Sequence, residues 1–348
     1  LKTILPTKES LLAFYWTVVF LFTSFFIFAQ KPKLDSLRNE VKLALETKSD
    51  SAYVLAQRLF LVDSNSAISL ALFANANYQI NQPTVGDFYI KKLLGKDSLF
   101  FQALSLKAFS LLDRGDKARV DDVLQKLAVH YPNEAETHYL QAYFLFQNGQ
   151  LKEAIEANNR ALAIAPALSA ALLLDAQLNF KNENFEKAAH GFQQQLTYIQ
   201  NDPNVLNSYG VALLKIDKAD EAIEILGRAL SIDTQSSAIL YNLGLAFLQT
   251  DNFSQARSCF EQQKNKIDTM PELDLLIAKC WIQERSLEKA LASYQRFSER
   301  ATQPSVQKEI GLIKTAIFLS KNWYWLLGAF TLAVWLLVFL LRRKTSLN

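Results

Sequence analysis

The stretch Asn148–Pro166, NGQLKEAIEANNRALAIAP, decides how the rest of the chain is read. It opens on a turn-forming Asn-Gly, places Lys152, Glu153, Glu156 and Arg160 on one side of a helix, and stops at a proline. Alone it is one amphipathic helix. Its Ala154, however, has counterparts at steps of 34 residues: Ala188, Ala222, Ala256 and Ala290 ahead of it, Val120, Gly86 and Ala52 behind it. A second track of small residues runs 12 positions earlier, through Ala74, Ala108, Ala142, Ala176, Gly210, Gly244 and Ala278.

Two small residues per unit at fixed spacing imply two helices whose backbones approach closely at one crossing, where a larger side chain would force them apart. Apolar residues surround them at helical spacing, such as Leu240, Leu243 and Phe247, then Phe253 and Phe260. Each unit therefore reads as helix–turn–helix, and no unit buries its apolar face alone; stacking neighbours into an α-solenoid does.

The segment ILYNLGLAFLQTDNFSQARSCF, Ile239 to Phe260, resembles the tetratricopeptide repeat family. Leu240 stands for the family's tryptophan, Leu243-Gly244 for its Leu-Gly, Phe247 for its tyrosine, and Ala256 with Phe260 for the second-helix track. Pro132 and Pro166 match its closing proline, whereas Gln200, Thr234 and Asp268 replace that proline in later units, and Glu40 occupies the small position of the earliest one. The resemblance implies an all-α solenoid of about seven to eight repeats. The units fall near 33–66, 67–100, 101–134, 135–168, 169–202, 203–236, 237–270 and 271–304. Val306, Ile310, Ile313 and Ile317 then form the stripe of a capping helix over 305–321.

The chain's 348 residues are half hydrophobic, with only 10 glycines and 8 prolines, as long helices require. The net charge is +3: Lys2, Lys8 and Glu9 before the first apolar run contribute +1, Arg342, Arg343 and Lys344 at the finish +3, and the body between them −1. A nearly neutral body offers no electrostatic footprint for nucleic acid. Leu11–Ala29 is uncharged and follows two lysines, reading as a signal peptide or N-terminal anchor within residues 1–30. Trp323–Leu341 is likewise uncharged, opens on Trp323, Tyr324 and Trp325, and ends at the basic tail 342–348. It is predicted to be a transmembrane helix over 322–341. These ends predict an integral protein of the bacterial inner membrane, with a periplasmic body and a cytoplasmic tail.

No catalytic constellation emerges. His130, His138 and His190 have no partners at ligand spacing, and no phosphate-binding loop or dinucleotide fingerprint occurs. Cys259 and Cys280 form neither a disulfide framework nor a zinc site; they are either one bridge or two buried hydrophobes. The sequence thus implies no enzyme, no cofactor, no metal and no small-molecule substrate.

What remains is a binding surface. The resemblance puts the first helices on the concave face, where some relatives clamp a carboxylate with basic residues. Here the positions after the small track are Phe109, Tyr143, Gln177, Val211, Leu245 and Lys279, so cations are scarce. The predicted groove, Leu106, Phe109, Tyr139, Leu140, Tyr143, Leu174 and Tyr241, suits a protein or peptide with apolar anchors, unless the stripe is inter-helix core. The expected function is a membrane-anchored interaction scaffold at the cell envelope. The alternatives are an extracytoplasmic sensor that signals through a partner and a cytosol-facing tail-anchored adaptor.

Overall fold

A computed structural model describes residues 33–47, 49–199, 201–266, 270–301 and 303–345. The expected signal or anchor, residues 1–30, lies outside them. The described residues are helices joined by short turns, and they form two compact units that divide after Asn201.

The first unit contains α1 (33–46), α2 (Ala52–Val62), α3 (Ala67–Gln79), α4 (Pro83–Lys96), α5 (Phe101–Asp113), α6 (Lys117–His130), α7 (Ala135–Gln147), α8 (Leu151–Ile164), α9 (Ser169–Lys181), α10 (Phe185–Gln194) and α11 (Leu196–Ile199). The second contains α12 (Pro203–Lys215), α13 (Ala219–Ile232), α14 (Ser237–Gln249), α15 (Phe253–Lys266), α16 (Glu272–Gln283), α17 (Leu287–Arg300) and α18 (Pro304–Thr345). First helices start at Ala67, Phe101, Ala135, Ser169, Pro203 and Ser237, and second helices at Pro83, Lys117, Leu151, Phe185, Ala219, Phe253 and Leu287, each series in steps of 34. Pro83 takes the first position of α4, where its missing N–H costs nothing.

The small residues sit at the crossings. Ala74, Ala108, Ala142 and Ala278 on first helices are 0% exposed, as are Ala154, Ala188, Ala222, Ala256 and Ala290 on second helices. The large residue four positions beyond the second-helix alanine fills the space above the small one of the first helix. A Cβ on Gly210 would lie 2.5 Å from the Leu226 side chain, and one on Gly244 would lie 2.5 Å from the Phe260 ring. Between pairs, second helices pack on the following first helix: Leu124 and Leu127 of α6 share one cluster with Leu140 of α7.

The seven turns within pairs from α3–α4 to α16–α17 use the same device. Asn81, Gly115, Gly149, Glu183, Asp217, Asp251 and Arg285 have φ between 57° and 77°, one every 34 residues. The next residue's N–H then reaches back to the carbonyl five positions earlier, as in Gln150 to Leu145 at 3.0 Å and Ser286 to Trp281 at 2.8 Å. This left-handed cap satisfies the last carbonyls of the first helix and reverses the chain into the second.

In the second unit α16 buries Asp274, whose Oδ1 accepts from Lys264 Nζ of α15 at 2.5 Å and Arg296 Nε of α17 at 3.1 Å. One carboxylate thereby ties three successive helices. Cys259 and Cys280 are free and buried, and burial pushes both thiols up to about 11. They are inert core residues rather than a bridge. The start of α18 covers the last pair: Val306, Ile310 and Ile313 are buried against Ala278, Tyr294 and Phe297.

The rest of α18 corrects the expectation of an integral membrane protein. Among the described residues no helix is long and apolar enough to cross a membrane. The uncharged run is the end of one long helix rather than a helix of its own. The helix before it carries Lys308, Glu309, Lys314 and Lys321.

Candidate functional site

The first helices lie side by side, α3 against α5, α5 against α7, α7 against α9, and α12 against α14, whereas neighbouring second helices make at most marginal contact. Such an arrangement curves with the first helices on the inside, so residues on their free faces line a concave groove. In the first unit that face carries aromatic rings. Tyr139 and Tyr143, one turn apart on α7, stack at 6.1 Å with 12° between their planes. Phe109, on the preceding first helix and 34 residues before Tyr143, continues the stack at 6.4 Å and 15°. Phe109 is 43% exposed, so the ladder opens to solvent at that end.

The structure brings three of the seven sequence-predicted groove residues together: Phe109, Tyr139 and Tyr143. Leu106 is partly buried against the cluster around Leu70 and Ala103. Leu140 and Leu174, each 1% exposed, belong to the core between helices and present no surface to a partner. Tyr241 lies in the second unit, packed on Phe260 at 6.1 Å.

Two groups that the apolar pattern does not mark complete the site. Glu136 lies one turn before Tyr139 on the same face, in the first turn of α7, and is exposed. Desolvation, helped by the charge of Glu134, pushes its carboxyl up to about 7. Tyr198 belongs to α11, the single turn left where the second helix of its pair breaks at Gln195. Desolvation raises its phenol, and so does the carboxylate of Glu46 at the end of α1. Tyr139 is held far above the ordinary phenol range by desolvation, with Tyr198, Tyr143 and Glu136 adding to it.

Because the Glu136 carboxyl is raised, the folded state holds its proton more tightly than the unfolded chain does. The stability this contributes is full below the ordinary 4.5 and is lost as pH rises to about 7. The groove is open to water, so the loss is at most about 1 kcal/mol. Denaturant midpoints of wild type and Glu136→Gln, compared at pH 4.5 and 7.5, are expected to differ in that sense; parallel pH profiles would refute it.

A second, shallow cleft between α9 and α10 is lined by Asp175, Asn179, Glu186, Lys187, His190 and Gln194. Desolvation raises the Asp175 carboxyl while Lys187 and the Asn179 amide oppose it. His138 Nε2 lies 2.9 Å from the Pro132 carbonyl and serves the turn before α7. Among the described residues no three His, Cys, Asp or Glu side chains are grouped to hold a metal ion.

Tetratricopeptide repeat models match residues 105–169 and 213–280, and the model of anaphase-promoting complex, cyclosome, subunit 3 matches 148–229 between them. The chain belongs to the tetratricopeptide repeat family. Its fold is similar to that in the crystal structure of the Cut9–Hcn1 hetero-tetramer of the anaphase-promoting complex, with a TM-score of 0.56 at 13% identity over 80% of this chain. This chain spans 55% of the length of that one. A structure of Pseudomonas aeruginosa pilF gives a TM-score of 0.49 at 16% identity, covering 63% of this chain and 99% of that one. YrrB, described as a tetratricopeptide repeat protein with an unusual peptide-binding site, gives 0.48 at 16%, covering 56% and 98%. No curated protein matches the chain. Tetratricopeptide repeat proteins act as protein–protein interaction scaffolds, and the fold is generally non-catalytic, so a protein or peptide is the class of partner that the family indicates.

Proposed function

We propose that this tetratricopeptide repeat chain is a non-catalytic scaffold that holds a protein partner by an apolar segment laid along the aromatic groove of its first unit. The observation that carries this reading is the open ladder of Phe109, Tyr143 and Tyr139 on the inner helix face. Stacked rings offer large, rigid contact area at little entropic cost, the property that makes aromatic residues the usual anchors of an interface. The scarcity of lysine and arginine there argues against the clamping of a chain-terminal carboxylate.

The test is co-purification of partners on the full chain, with Phe109→Asp and Tyr143→Asp as comparisons. Phe109 is 43% exposed, so its variant is expected to keep the wild-type helix content by circular dichroism; Tyr143 is partly buried on two core clusters, so its variant counts only where that content is kept. Partner recovery falls by at least about tenfold, since a lost aromatic anchor is worth ~2 kcal/mol or more. Recovery that ignores both substitutions would remove the groove from the function.

A further inference from the structure

We propose that the exposed face of α18 is a coiled-coil seam through which two copies of this chain pair in parallel.

The two sides of α18 differ in what covers them. Val306, Ile310 and Ile313 are buried against the last helix pair, with Ile317 packed beside them. Leu312, Leu319 and Leu326 recur every seven residues and Ala333 continues them, while the positions three residues on are Thr315, Asn322, Ala329 and Leu336. At ~100° per residue this second row lies on the opposite side of the helix from the capping stripe. Its spacing is the 3.5-residue period of a left-handed coiled coil. The described fold leaves the row open: Leu312 is 56% exposed, Leu319 47%, Leu326 44% and Leu336 51%. The solvent-facing side of α8, by contrast, carries Lys152, Glu153, Glu156 and Arg160.

The area matches a pair of chains. Phe318, Trp323, Trp325 and Phe330 flank the row and are 49–80% exposed. Four rings so exposed present on the order of 500 Å². The leucines bring the seam near the ~800 Å² that each partner of a stable pair buries, more than a lone chain ordinarily leaves open. A second copy supplies a row of the same period and length, and the α16–α17 pair sits on the far side of α18, clear of it.

Asn322 sets the direction. Its Nδ2 donates to the Phe318 carbonyl at 2.8 Å, which leaves its second proton and its Oδ1 for a counterpart. In a parallel pair the two Asn322 amides meet. In an antiparallel pair centred on the seam, Asn322 lies level with Leu326 and loses that partner.

Sedimentation equilibrium of the full chain tests this, with an expected mass twice the 39.4 kDa of one chain. Leu319→Lys combined with Leu326→Lys puts like charges into the seam. It should weaken pairing at least about a hundredfold, so that the single-chain mass returns at the same concentration. Leu327→Lys combined with Val334→Lys adds the same charge off the seam, at positions 55% and 44% exposed, and should leave the dimer intact. All four side chains are exposed, so helix content by circular dichroism should match the wild type in both variants. Asn322→Cys should join two chains when diamide is added, whereas the wild type, whose Cys259 and Cys280 are buried, should not cross-link. A mass of one chain, or of more than two, would overturn the proposal; single chains taken up by phosphatidylcholine vesicles would give the seam to lipid instead. Dissociation by the off-seam pair, or a dimer that survives the seam pair, would overturn it equally. A dimer whose Asn322→Cys variant fails to cross-link would overturn the parallel arrangement.

Discussion

Phe260→Ala is expected to lower the stability of the second unit by about 3–5 kcal/mol, the usual cost of removing a fully buried aromatic ring. Phe260 is 0% exposed, and its ring lies over Gly244 where α14 and α15 cross. The informative part is the partner residue. Gly244→Ala in the wild-type background pits a helix-propensity gain of about 1 kcal/mol against overpacking of about 1–3 kcal/mol, because the new methyl would sit 2.5 Å from the ring. It should therefore destabilise by about 1 kcal/mol. In the Phe260→Ala background the methyl enters the vacated space, so the same change should become stabilising. Gly227→Ala is the control: nothing lies within 4 Å of the place its methyl would occupy, and it should stabilise by about 0.5–1 kcal/mol. Guanidinium midpoints of the two single variants and the double variant decide the matter. Additive effects at 244 and 260 would mean that the ring does not set the size of the residue beneath it.

That crossing also shows what the sequence makes legible. A small residue that must recur leaves a trace in the chain, and Ala154 with its counterparts marks the second helix of each pair by spacing alone. The groove is harder. Leu106, Leu140 and Leu174 share one register position, each 34 residues from the next, and in the structure that position turns toward neighbouring helices: Leu140 and Leu174 are 1% exposed. Tyr139 is only one residue away, about 100° around the helix, and faces the groove. An apolar stripe has no internal mark to separate those two faces, so both are read as surface. Glu136 escapes an apolar reading for the opposite reason, being charged, although its one-turn spacing from Tyr139 places it on the same face. Tyr198 is illegible in any pattern, because it enters the site through a break in a second helix whose counterparts run on for another turn. At the C-terminal end the uncharged run from Trp323 is plain in the sequence. The stripe Val306, Ile310 and Ile313 before it is equally plain, yet one continuous helix carries both, and its first part belongs to the core of the last pair.

The left-handed turns are the most regular feature of the fold and the least visible in the sequence, since only two of the seven positions are glycine. This mismatch gives the second large effect. Glu183→Gly and Arg285→Gly should each stabilise the chain by about 0.5–1 kcal/mol. A left-handed residue with a side chain costs about 1–2 kcal/mol, and the extra unfolded-state freedom of glycine returns only about 0.5–1 of that. The two positions lie in different units and share no partner, so the double variant should gain about 1–2 kcal/mol. Asp217 has the same backbone, with φ 60°, but its Oδ1 accepts from Gln249 Nε2 at 2.8 Å. Losing that bond costs about 0.5–1.5 kcal/mol, so Asp217→Gly should be neutral or slightly destabilising. Gly149→Ala forces a side chain into φ 77° and should cost more than about 1 kcal/mol. Thermal and denaturant midpoints of these variants test the order Arg285 and Glu183 above Asp217 above Gly149. If Arg285→Gly lost stability while Asp217→Gly gained it, side-chain contacts rather than backbone geometry would govern these turns.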